Sequence, residues 1–380
     1  MTKLIKLLSA FASFFLRFSH GNTVYTGDIL NGHKVITRLS VDDFPCGEVT
    51  KLWLRANNNK IGQAYHVPLL VARGSNCNCD ENRFVMNTGL HGDELNGIRV
   101  IHRVMKDLDL NLLNGTVVGV PGSNVNGLYE ETRGYFNSYD SGSFTNLNRQ
   151  FPGDITNSSS AGEIFATMLW DAIYNDNGYT AGVDFHTQST SGSFVNFVYA
   201  DLTIPYVRNM CDLTGADVIK IDLGDGTLGA LENVWDAFGV PAITYELGSP
   251  LSWQKDQIQR GYDYVFRQLA DIHMYPPPTD PIAIAEYKKN YPNIYYGTET
   301  GGASVPTGGF LQTFVKLNED VTTKTKIASL YNVFGDLITD FYPEFDGRLY
   351  SLSTHPLREV GAGTFGVIHN STDPACRNGC

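Results

Sequence analysis

The sequence predicts an α/β fold in which a mixed β-sheet is flanked by helices, with a small all-β domain at its C-terminal end. Two features support this fold class. Before residue 274, apolar runs bounded by glycine and asparagine alternate with segments of helical spacing, as in a sheet covered by helices. After the stretch MYPPPTDP, residues 274–281, the chain shows short apolar runs separated by Gly, Asp and Pro turns.

Strands and helices are predicted from the period of their apolar residues. Two segments have helical spacing, LNGIRVIHRVMKDL and AGEIFATMLWDAIYN. The predicted strands of the large sheet are HVPLLVARG, RFVMNTGL, NGTVVGVPG, AGVDFHT, SFVNFVYA, ADVIKIDLG and VPAITYELG. Because open α/β sheets place their sites at strand ends, the polar residues that follow these runs are candidates for chemistry.

Three segments organise the chain. Residues 1–21 begin with lysines, continue with an apolar run and end near small residues, which predicts a secretory signal peptide and an extracellular protein. The apolar run is too short to cross a bilayer of roughly 30 Å as a helix, and an amphipathic helix of a cytosolic protein is the alternative. The triple proline within 274–281 ends any helix or central strand, so we expect one domain over 22–280 and another over 281–380.

Composition excludes two kinds of partner. The 380 residues carry a net charge of −12, and no basic cluster is larger than Lys288-Lys289. Nucleic-acid binding needs several Lys or Arg presented together, so we do not expect it. No segment after the signal has eighteen uninterrupted apolar residues, so we expect no membrane association once the signal is removed. The sequence predicts no particular oligomeric state.

The cysteines and glycosylation sequons are consistent with export. An exported chain tends to oxidise an even set of cysteines, and the six present here allow several pairings. A four-thiolate zinc site is the alternative, although the spacing differs from the usual Cys-x-x-Cys. Its members would be Cys77, Cys79, Cys376 and Cys380. The sequons are Asn114, Asn157 and Asn370.

A candidate metal site begins in the stretch FVMNTGLHGDELNGIRV, residues 84–100. His91 and Glu94 stand three residues apart just after a predicted strand. If a helix starts there, both side chains lie on one face and reach a common point, although such a pair alone more often decorates a surface. His186 in GVDFHTQ offers a third ligand, with a buried core histidine as its alternative, and Asp184 would fix its tautomer. Two His and one Glu with an open fourth position form the ligand set of hydrolytic zinc sites.

Four further side chains are candidates for catalysis and substrate binding. Glu246 ends the almost wholly apolar strand VPAITYELG, where a carboxylate needs a partner or a task such as that of a general base. Asn148 and Arg149 precede the turn FPG, and an arginine can hold a carboxylate at two points. Arg133, in YEETRGYF, is a further cation of this region. Strand-end ion pairing and solvated surface charge are the alternative roles.

The motifs HGDE, NLNRQFPG, DFHT and YELG resemble, in order and spacing, those of the zinc metallocarboxypeptidase superfamily. Within it the chain is most similar to the succinylglutamate desuccinylase and aspartoacylase family of deacylases. The similarity runs from about residue 60 to about residue 370, because the family also ends in a small β domain resembling FGDLITDFYPEFDGRLY. Departures are Asn146 where the family usually has Asp, the stretch HTQSTSG, and an insertion around 134–145.

The resemblance implies a zinc-dependent hydrolase of non-peptide amide bonds with one Zn²⁺ per chain. His91, Glu94 and His186 would bind the ion, and Glu246 would be the general base and then the acid. Arg149 with Asn148 would hold the free carboxylate of the substrate, and Arg133 would polarise the scissile carbonyl.

Two other functions compete with deacylation of an N-acyl amino acid. A secreted metallocarboxypeptidase would use the same residues on the C-termini of short peptides, and the β tail favours the deacylase. A secreted binding protein on a decayed hydrolase scaffold would not need both the three ligand types and the base, which this chain retains.

Overall fold

A computed structural model describes residues 21–77, 82–138, 142–153, 155–156, 159–224 and 228–380. The predicted signal peptide, except Gly21, lies outside these residues, as do Cys79 and the sequon at Asn157. In the part of the chain that the structure describes, no helix combines the length and apolar character needed to cross a membrane.

Twenty-two strands and seven α-helices make up the described chain. The strands are β1 Val24–Leu30, β2 His33–Arg38, β3 Glu48–Asn58, β4 Ala64–Arg73, β5 Arg83–Thr88, β6 Thr116–Pro121, β7 Tyr135–Asn137, β8 Ser143–Thr145, β9 Ala181–His186, β10 Gly192–Phe194, β11 Asn196–Ala200, β12 Val218–Ile221, β13 Ala242–Leu247, β14 Tyr295–Gly297, β15 Glu299–Ser304, β16 Gly309–Thr313, β17 Asp320–Val321, β18 Ala328–Tyr331, β19 Leu337–Phe341, β20 Gly347–Ser353, β21 Leu357–Arg358 and β22 Gly363–His369. The helices are α1 Asn96–Asp107, α2 Val125–Glu130, α3 Ala161–Leu169, α4 Val207–Thr214, α5 Leu231–Ala237, α6 Lys255–Asp271 and α7 Pro281–Asn290.

An 11-stranded mixed sheet forms the centre, in the order β1-β2-β3-β4-β6-β5-β9-β13-β11-β12-β14. Helices α2, α3 and α5 pack on one face around Phe165 and Trp235, and α1, α4 and α6 pack on the other around Val100 and Tyr264. The predicted α/β class and the mixed sheet flanked by helices are therefore confirmed.

The middle of the sheet explains why the candidate residues meet. Strands β6, β5, β9 and β13 are neighbours and run parallel, and every residue in them is buried. Strands covered on both faces need near-continuous apolar sequence, which is the pattern that the chain shows there. The carboxyl ends of β5, β9 and β13 lie at one edge, so the segments that carry His91, His186 and Glu246 come together.

Two small antiparallel sheets contain most strands of the C-terminal part of the chain, and β10 from the preceding part joins one of them. One has the order β10-β20-β22-β15 with β17 beside β20, and the other the order β19-β18-β16-β21. Their shared core includes Leu311, Leu330 and Val367. Among the described residues after Asn290 there is no further α-helix, which confirms the small all-β C-terminal region. The domain limits at 22–280 and 281–380 stay predictions.

The segment SFVNFVYA differs from its prediction as a single strand. The structure divides it into β10, which pairs with β20, and β11, which joins the central sheet beside β13. Val195 lies between them and donates its backbone N–H to Tyr350 O at 3.0 Å. One apolar run can serve two sheets because it is buried by both.

The cysteines form disulfides rather than the alternative zinc site. Cys46 is bonded to Cys77, and Cys376 to Cys380. A bonded sulfur is not a thiolate, so a four-thiolate site that includes Cys77, Cys376 and Cys380 is ruled out in this structure. Cys211 is a buried thiol of α4 outside these bonds.

Candidate active site

The turn between β5 and α1 carries His91 and Glu94. Both residues precede the helix instead of lying in its first turn, and a hydrogen bond from Glu94 N to His91 O at 3.2 Å closes the turn. His91 Nδ1 lies 2.8 Å from Glu94 Oε1. Gly92 is required between them, because a Cβ there would lie 2.0 Å from the carbonyl carbon of Gly127.

His186, the last residue of β9, completes a cluster of three ligand types. Its Nδ1 lies 3.1 Å from His91 Nδ1 and 2.7 Å from Glu94 Oε2. All three side chains are buried, and their ligand atoms lie within 4.8 Å of one another. The structure thus brings the three predicted metal ligands to one point.

Two oxygen acceptors fix the tautomers of the imidazoles. Asp184 Oδ2 lies 2.8 Å from His186 Nε2, and a carboxylate can only accept. Asn146 Oδ1 lies 3.1 Å from His91 Nε2 and also accepts from the backbone N–H of Asn148 at 3.0 Å, which fixes its amide orientation. Both Nε2 atoms therefore carry a proton, and both Nδ1 atoms point into the cluster, where each would present a lone pair to a bound cation.

This donor set fits a divalent cation. Two lone-pair nitrogens 3.1 Å apart and a carboxylate repel one another unless a positive charge lies among them. Two imidazole nitrogens and one carboxylate are the ligands that a hydrolytic zinc site uses, and zinc accepts them without a strict geometric demand.

The pKa values of the cluster show how strongly its members interact. Burial lowers the pKa of His91, although Glu94 acts in the opposite direction. Burial would lower the pKa of His186 too, but the charges of Asp184 and Glu94 outweigh it and raise that pKa well above its usual value. Burial would raise the pKa of Glu94, but His91 and His186 hold it well below its usual range. Glu94 is therefore a carboxylate, as a metal ligand must be.

Arg133 lies directly on the cluster. Its Nη1 is 3.1 Å from both His91 Nδ1 and Glu94 Oε1, and it also donates to the hydroxyl of Ser189. Ser189 in turn donates to Glu94 Oε1 at 2.7 Å. The Arg133 side chain keeps 43% of its surface exposed, so its guanidinium can approach a ligand in the cavity as well as the cluster.

Glu246 lies on the strand beside His186. The register of the parallel pair β9–β13 places the two residues opposite each other, and Glu246 is buried. Its Oε2 has no hydrogen-bond partner among the described residues. Burial and then the charge of Glu94 raise the pKa of Glu246 well above its usual value. A carboxyl group with a raised pKa can both take up and return a proton near neutral pH.

Asn148 and Arg149 lie in a short helical turn that packs against the start of α5. The Asn148 Oδ1 atom accepts from the backbone N–H of Leu231 at 2.8 Å, so part of this amide is used to hold α5 in place. Its Nδ2 lies 3.3 Å from His186 Nε2, which already donates to Asp184, so this contact is not a hydrogen bond. Asn148 lines the cavity next to the ligand cluster.

Behind His186, Asp184 belongs to a buried chain of hydrogen-bonded polar groups. Asn87 Nδ2 donates to Asp184 Oδ1 at 2.7 Å. Asn87 Oδ1 in turn accepts from Tyr174 at 2.6 Å and from the Ser123 hydroxyl. Because two hydroxyl groups hold its oxygen, the amide of Asn87 can only present its NH₂ group to Asp184.

The candidate residues line a cavity of about 350 Å³. We call His91, His186, Glu246 and Arg133, which belong to the ligand cluster or lie beside it, the inner end of this lining. The remaining lining residues come from several loops, strands and a helix, and we call them the outer end; they include Arg149, Lys220, Asp222, Glu232, Thr300 and Cys380. The C-terminal part of the chain thus contributes to the wall. A volume of this order suits a small organic molecule.

Two further cations, Arg208 and Lys220, are engaged by the protein itself. Arg208 is exposed, pairs with Asp212 at 3.8 Å and lies over the ring of Tyr296, and it does not line the cavity. Lys220 lines the cavity, but its Nζ donates to three backbone carbonyls at 2.9 Å each.

Sequence reasoning missed Asn87, Asn146 as a histidine partner, Ser189 and Glu232. Asn146 and Asn87 act on residues 55 and 97 positions away in the chain. A local pattern cannot reveal such contacts. Asn146 stands where the resembled family usually has Asp, and it serves here as an oxygen acceptor all the same.

Comparison with known proteins agrees with this geometry. Residues 80–272, about half of the chain, match the succinylglutamate desuccinylase/aspartoacylase catalytic domain. Among curated proteins, no sequence matches the chain.

Solved structures share the fold. The product-bound ectoine utilization protein EutE (DoeB) from Ruegeria pomeroyi is 16% identical, with a TM-score of 0.71 over 93% of this chain and 100% of that one. A succinylglutamate desuccinylase/aspartoacylase from Rhodobacter sphaeroides is 16% identical, with a TM-score of 0.69 over 87% of this chain and 97% of that one. An aspartoacylase family protein from Mesorhizobium loti is 15% identical, with a TM-score of 0.68 over 92% of this chain and 100% of that one.

These likenesses confirm the fold that the motifs suggested, and the matched domain confirms the family. The chain belongs to the succinylglutamate desuccinylase/aspartoacylase family of deacylases.

Proposed function

We propose that this protein is a zinc-dependent amidohydrolase that removes the acyl group from an N-acyl amino acid or a similar small amide. The observation that supports it most strongly is the convergence of two imidazole Nδ1 atoms and the Glu94 carboxylate at one point, with Glu246 on the adjacent strand. His91, Glu94 and His186 would hold one zinc ion per chain. When bound by three protein ligands, zinc acts as a Lewis acid and lowers the pKa of a water molecule to about 7.

The proton transfers are assigned to Glu246. Its raised pKa suits a group that takes a proton from the attacking water and then gives it to the departing amine. Its buried Oε2 has no partner among the described residues and is the atom that would carry this proton. The amine would otherwise leave as an unstable anion, so this second transfer is as important as the first.

Two arginines are proposed to bind the carbonyl and the carboxylate of the substrate. Arg133, beside the metal ligands and half exposed, would donate to the carbonyl oxygen as negative charge develops on it. Arg149, with the Nδ2 group of Asn148, would hold the carboxylate of the amino-acid part of the substrate. These two contacts would hold the scissile amide bond between Glu246 and the ligand cluster.

The test is an activity screen of the purified chain, loaded with zinc, over a panel of N-acyl amino acids with detection of the released amine. We expect hydrolysis by the wild type and a loss on the order of 10²- to 10⁴-fold in Glu246→Gln. A matched control is Glu286→Gln, which removes a carboxylate from the exposed face of α7. Removal of zinc by a chelator should abolish activity, and readdition should restore it.

Activity on short peptides with none on acyl amino acids would instead favour the metallocarboxypeptidase. A chain that binds no zinc and hydrolyses neither kind of substrate would favour the binding protein.

Secretion is part of the same proposal. The two disulfides are typical of an oxidising compartment, and the sequons at Asn114 and Asn370 are exposed. Expression of the full chain in a secreting host, followed by glycosidase treatment and N-terminal sequencing of the product, tests both the export and the predicted cleavage near residue 21.

A further inference from the structure

The outer end of the cavity lining contains two groups of opposite charge that form no ion pair. Arg149 and Glu232 both line the cavity. Among the described residues they form no ion pair within 4 Å, either with each other or with a third group. A buried ionisable group without a partner is costly to the fold unless a ligand supplies the missing contact.

Arg149 is half-buried and has little protein to bind. Its Nη1 donates to the backbone carbonyl of Asn148 at 2.5 Å. Burial and then the charge of Arg133 lower its pKa, whereas Glu232, Tyr199 and Asp222 act in the opposite direction. The guanidinium therefore still has donors for an anion that enters the cavity.

Glu232 lies in the first turn of α5 and is only 7% exposed. Its Oε2 has no aligned hydrogen-bond partner among the described residues, and the same holds for Oγ1 of Thr244, which lies near it on the cavity wall. Burial and then the charge of Asp184 raise the pKa of Glu232, with the Thr244 hydroxyl acting in the opposite direction. A donor or a cation beside this carboxyl group would relieve its burial.

The neighbours of Glu232 add acceptors to this wall. Asp222 lines the cavity and its Oδ1 accepts from the backbone N–H of Gly224 at 2.8 Å. Lys220 cannot serve Glu232, since its ammonium is held by the carbonyls of Ile221, Thr298 and Cys380. Apart from Arg149, the described residues of the outer end thus include no cation that could pair with the carboxyl groups of Asp222 and Glu232.

We propose that Glu232 is a specificity-determining residue that binds an amino group on the side chain of the substrate, while Arg149 binds its carboxylate. The substrate class is then an Nα-acyl amino acid with an amino-bearing side chain. This inference rests on the proposed deacylase function and narrows it. A molecule with both charges satisfies Arg149 and Glu232 at once, and neither protein charge stays unpaired.

The sharpest test compares substrates that differ only in the amino group. Nα-acetyl-lysine and Nα-acetyl-ornithine carry it, Nα-acetyl-norleucine has a similar chain without it, and Nα-acetyl-glutamate has the opposite charge. With the zinc-loaded wild type, we expect kcat/KM for the better of the first two to exceed that for norleucine by about 10- to 100-fold, the range for a buried charge-assisted hydrogen bond.

Glu232→Gln identifies the residue responsible. We expect it to lower kcat/KM for the amino-bearing substrate to near the norleucine value and to leave the norleucine value within about twofold. Unchanged norleucine hydrolysis also shows that the variant folds. Glu286→Gln is the matched control, with the same change far from the cavity. If Glu232→Gln does not fold, the substrate ranking of the wild type decides the question by itself.

The outcomes separate this inference from the function on which it rests. Equal or better hydrolysis of the norleucine or glutamate derivative overturns the inference and leaves the deacylase intact. If no derivative is hydrolysed, calorimetric binding of Nα-acetyl-lysine to the zinc-loaded protein is compared with that of Nα-acetyl-norleucine. Selective binding without turnover supports the role of Glu232 and contradicts the deacylase, and the absence of binding contradicts both.

Discussion

The two ends of the cavity differ in how their charges are satisfied. At the inner end, both oxygens of Glu94 accept hydrogen bonds, from Ser189 on one side and the backbone N–H of Thr187 at 3.1 Å on the other. At the outer end, Arg149 and Glu232 face the same space without an ion pair among the described residues. The protein itself thus satisfies the carboxylate of Glu94 at the inner end, whereas it leaves Arg149 and Glu232 without an ion pair at the outer end.

The difference follows from the elements that build each end. The ligand cluster lies on the ends of adjacent parallel strands, whose buried ladders fix backbone positions before any ligand arrives. The outer wall comes from the start of α5, the residues after β12, and the C-terminal segment. In the proposed function, catalysis lies at the ends of the central strands and substrate selection on the segments around them, which can change without disturbing the sheet.

The largest expected effect is at the inner end. Replacing His186 by Ala should abolish zinc binding at equimolar metal and with it activity, because two protein ligands do not hold the ion tightly. Metal content after gel filtration, measured by mass spectrometry, checks this. Retention of one zinc per chain would contradict this prediction, since the ion would then be bound elsewhere.

The second effect concerns the polar chain behind His186. Asn87→Leu and Tyr174→Phe should weaken zinc affinity by about 10- to 100-fold, because Asp184 would no longer be held against His186 Nε2. Competition with a fluorescent chelator measures the affinity directly. Tyr179→Phe is the control. It removes another buried hydroxyl, which donates to Ile173 O and takes no part in the polar chain behind His186. Equal losses in Tyr174→Phe and Tyr179→Phe would indicate general destabilisation.

The third prediction concerns carboxylate binding by Arg149 at the outer end. Arg149→Met should raise KM for an acyl amino acid and lower kcat/KM by about 10- to 100-fold, because a charge-assisted contact to the carboxylate is lost. Zinc affinity should stay within about twofold of the wild type. Steady-state kinetics with the free acid and its amide test this, since the wild type should prefer the acid and the variant should not. A variant that still prefers the acid would assign carboxylate binding to another residue.

The smallest effect lies outside the cavity, on α5. Burial raises the pKa of Asp236 to about 8, so its folded state holds a proton that the unfolded state releases near pH 4. The contribution of Asp236 to the free energy of unfolding is therefore fully present below about pH 4 and is lost as the pH rises through about 8. Asp236→Asn keeps the acceptor for Ala242 N and should remove this loss. Because the side chain is half-buried, we expect about 1 kcal/mol at pH 9, measured by urea unfolding at pH 5 and pH 9. A difference that does not depend on pH would contradict the raised pKa.

Much of the inner end could be predicted, because the apolar runs in the sequence show where the buried strands end. The parallel arrangement of β5, β9 and β13 follows from buried apolar runs separated by helices, and it brings His91, His186 and Glu246 to one edge. The site roles themselves stay predictions until metal and activity are measured.

The outer end could not be predicted in the same way. Glu232 lies in GALENVW, where nothing distinguishes it from a surface carboxylate, and its burial results from packing of α5 against the Asn148 turn. The N-terminal strands β1–β3 were not predicted either, since exposed residues interrupt their apolar ones. In each instance the deciding contact joins segments far apart in the chain.

Lys220 has a consequence for how the molecule holds together. Its ammonium binds one carbonyl of its own strand end and two from the C-terminal third of the chain, at Thr298 and Cys380. A single methionine in its place would leave all three oxygens without a donor while the apolar core stayed in contact. The rim of the cavity would then loosen well before the sheet melts, and substrate selection would fail in a protein that still looks folded by circular dichroism.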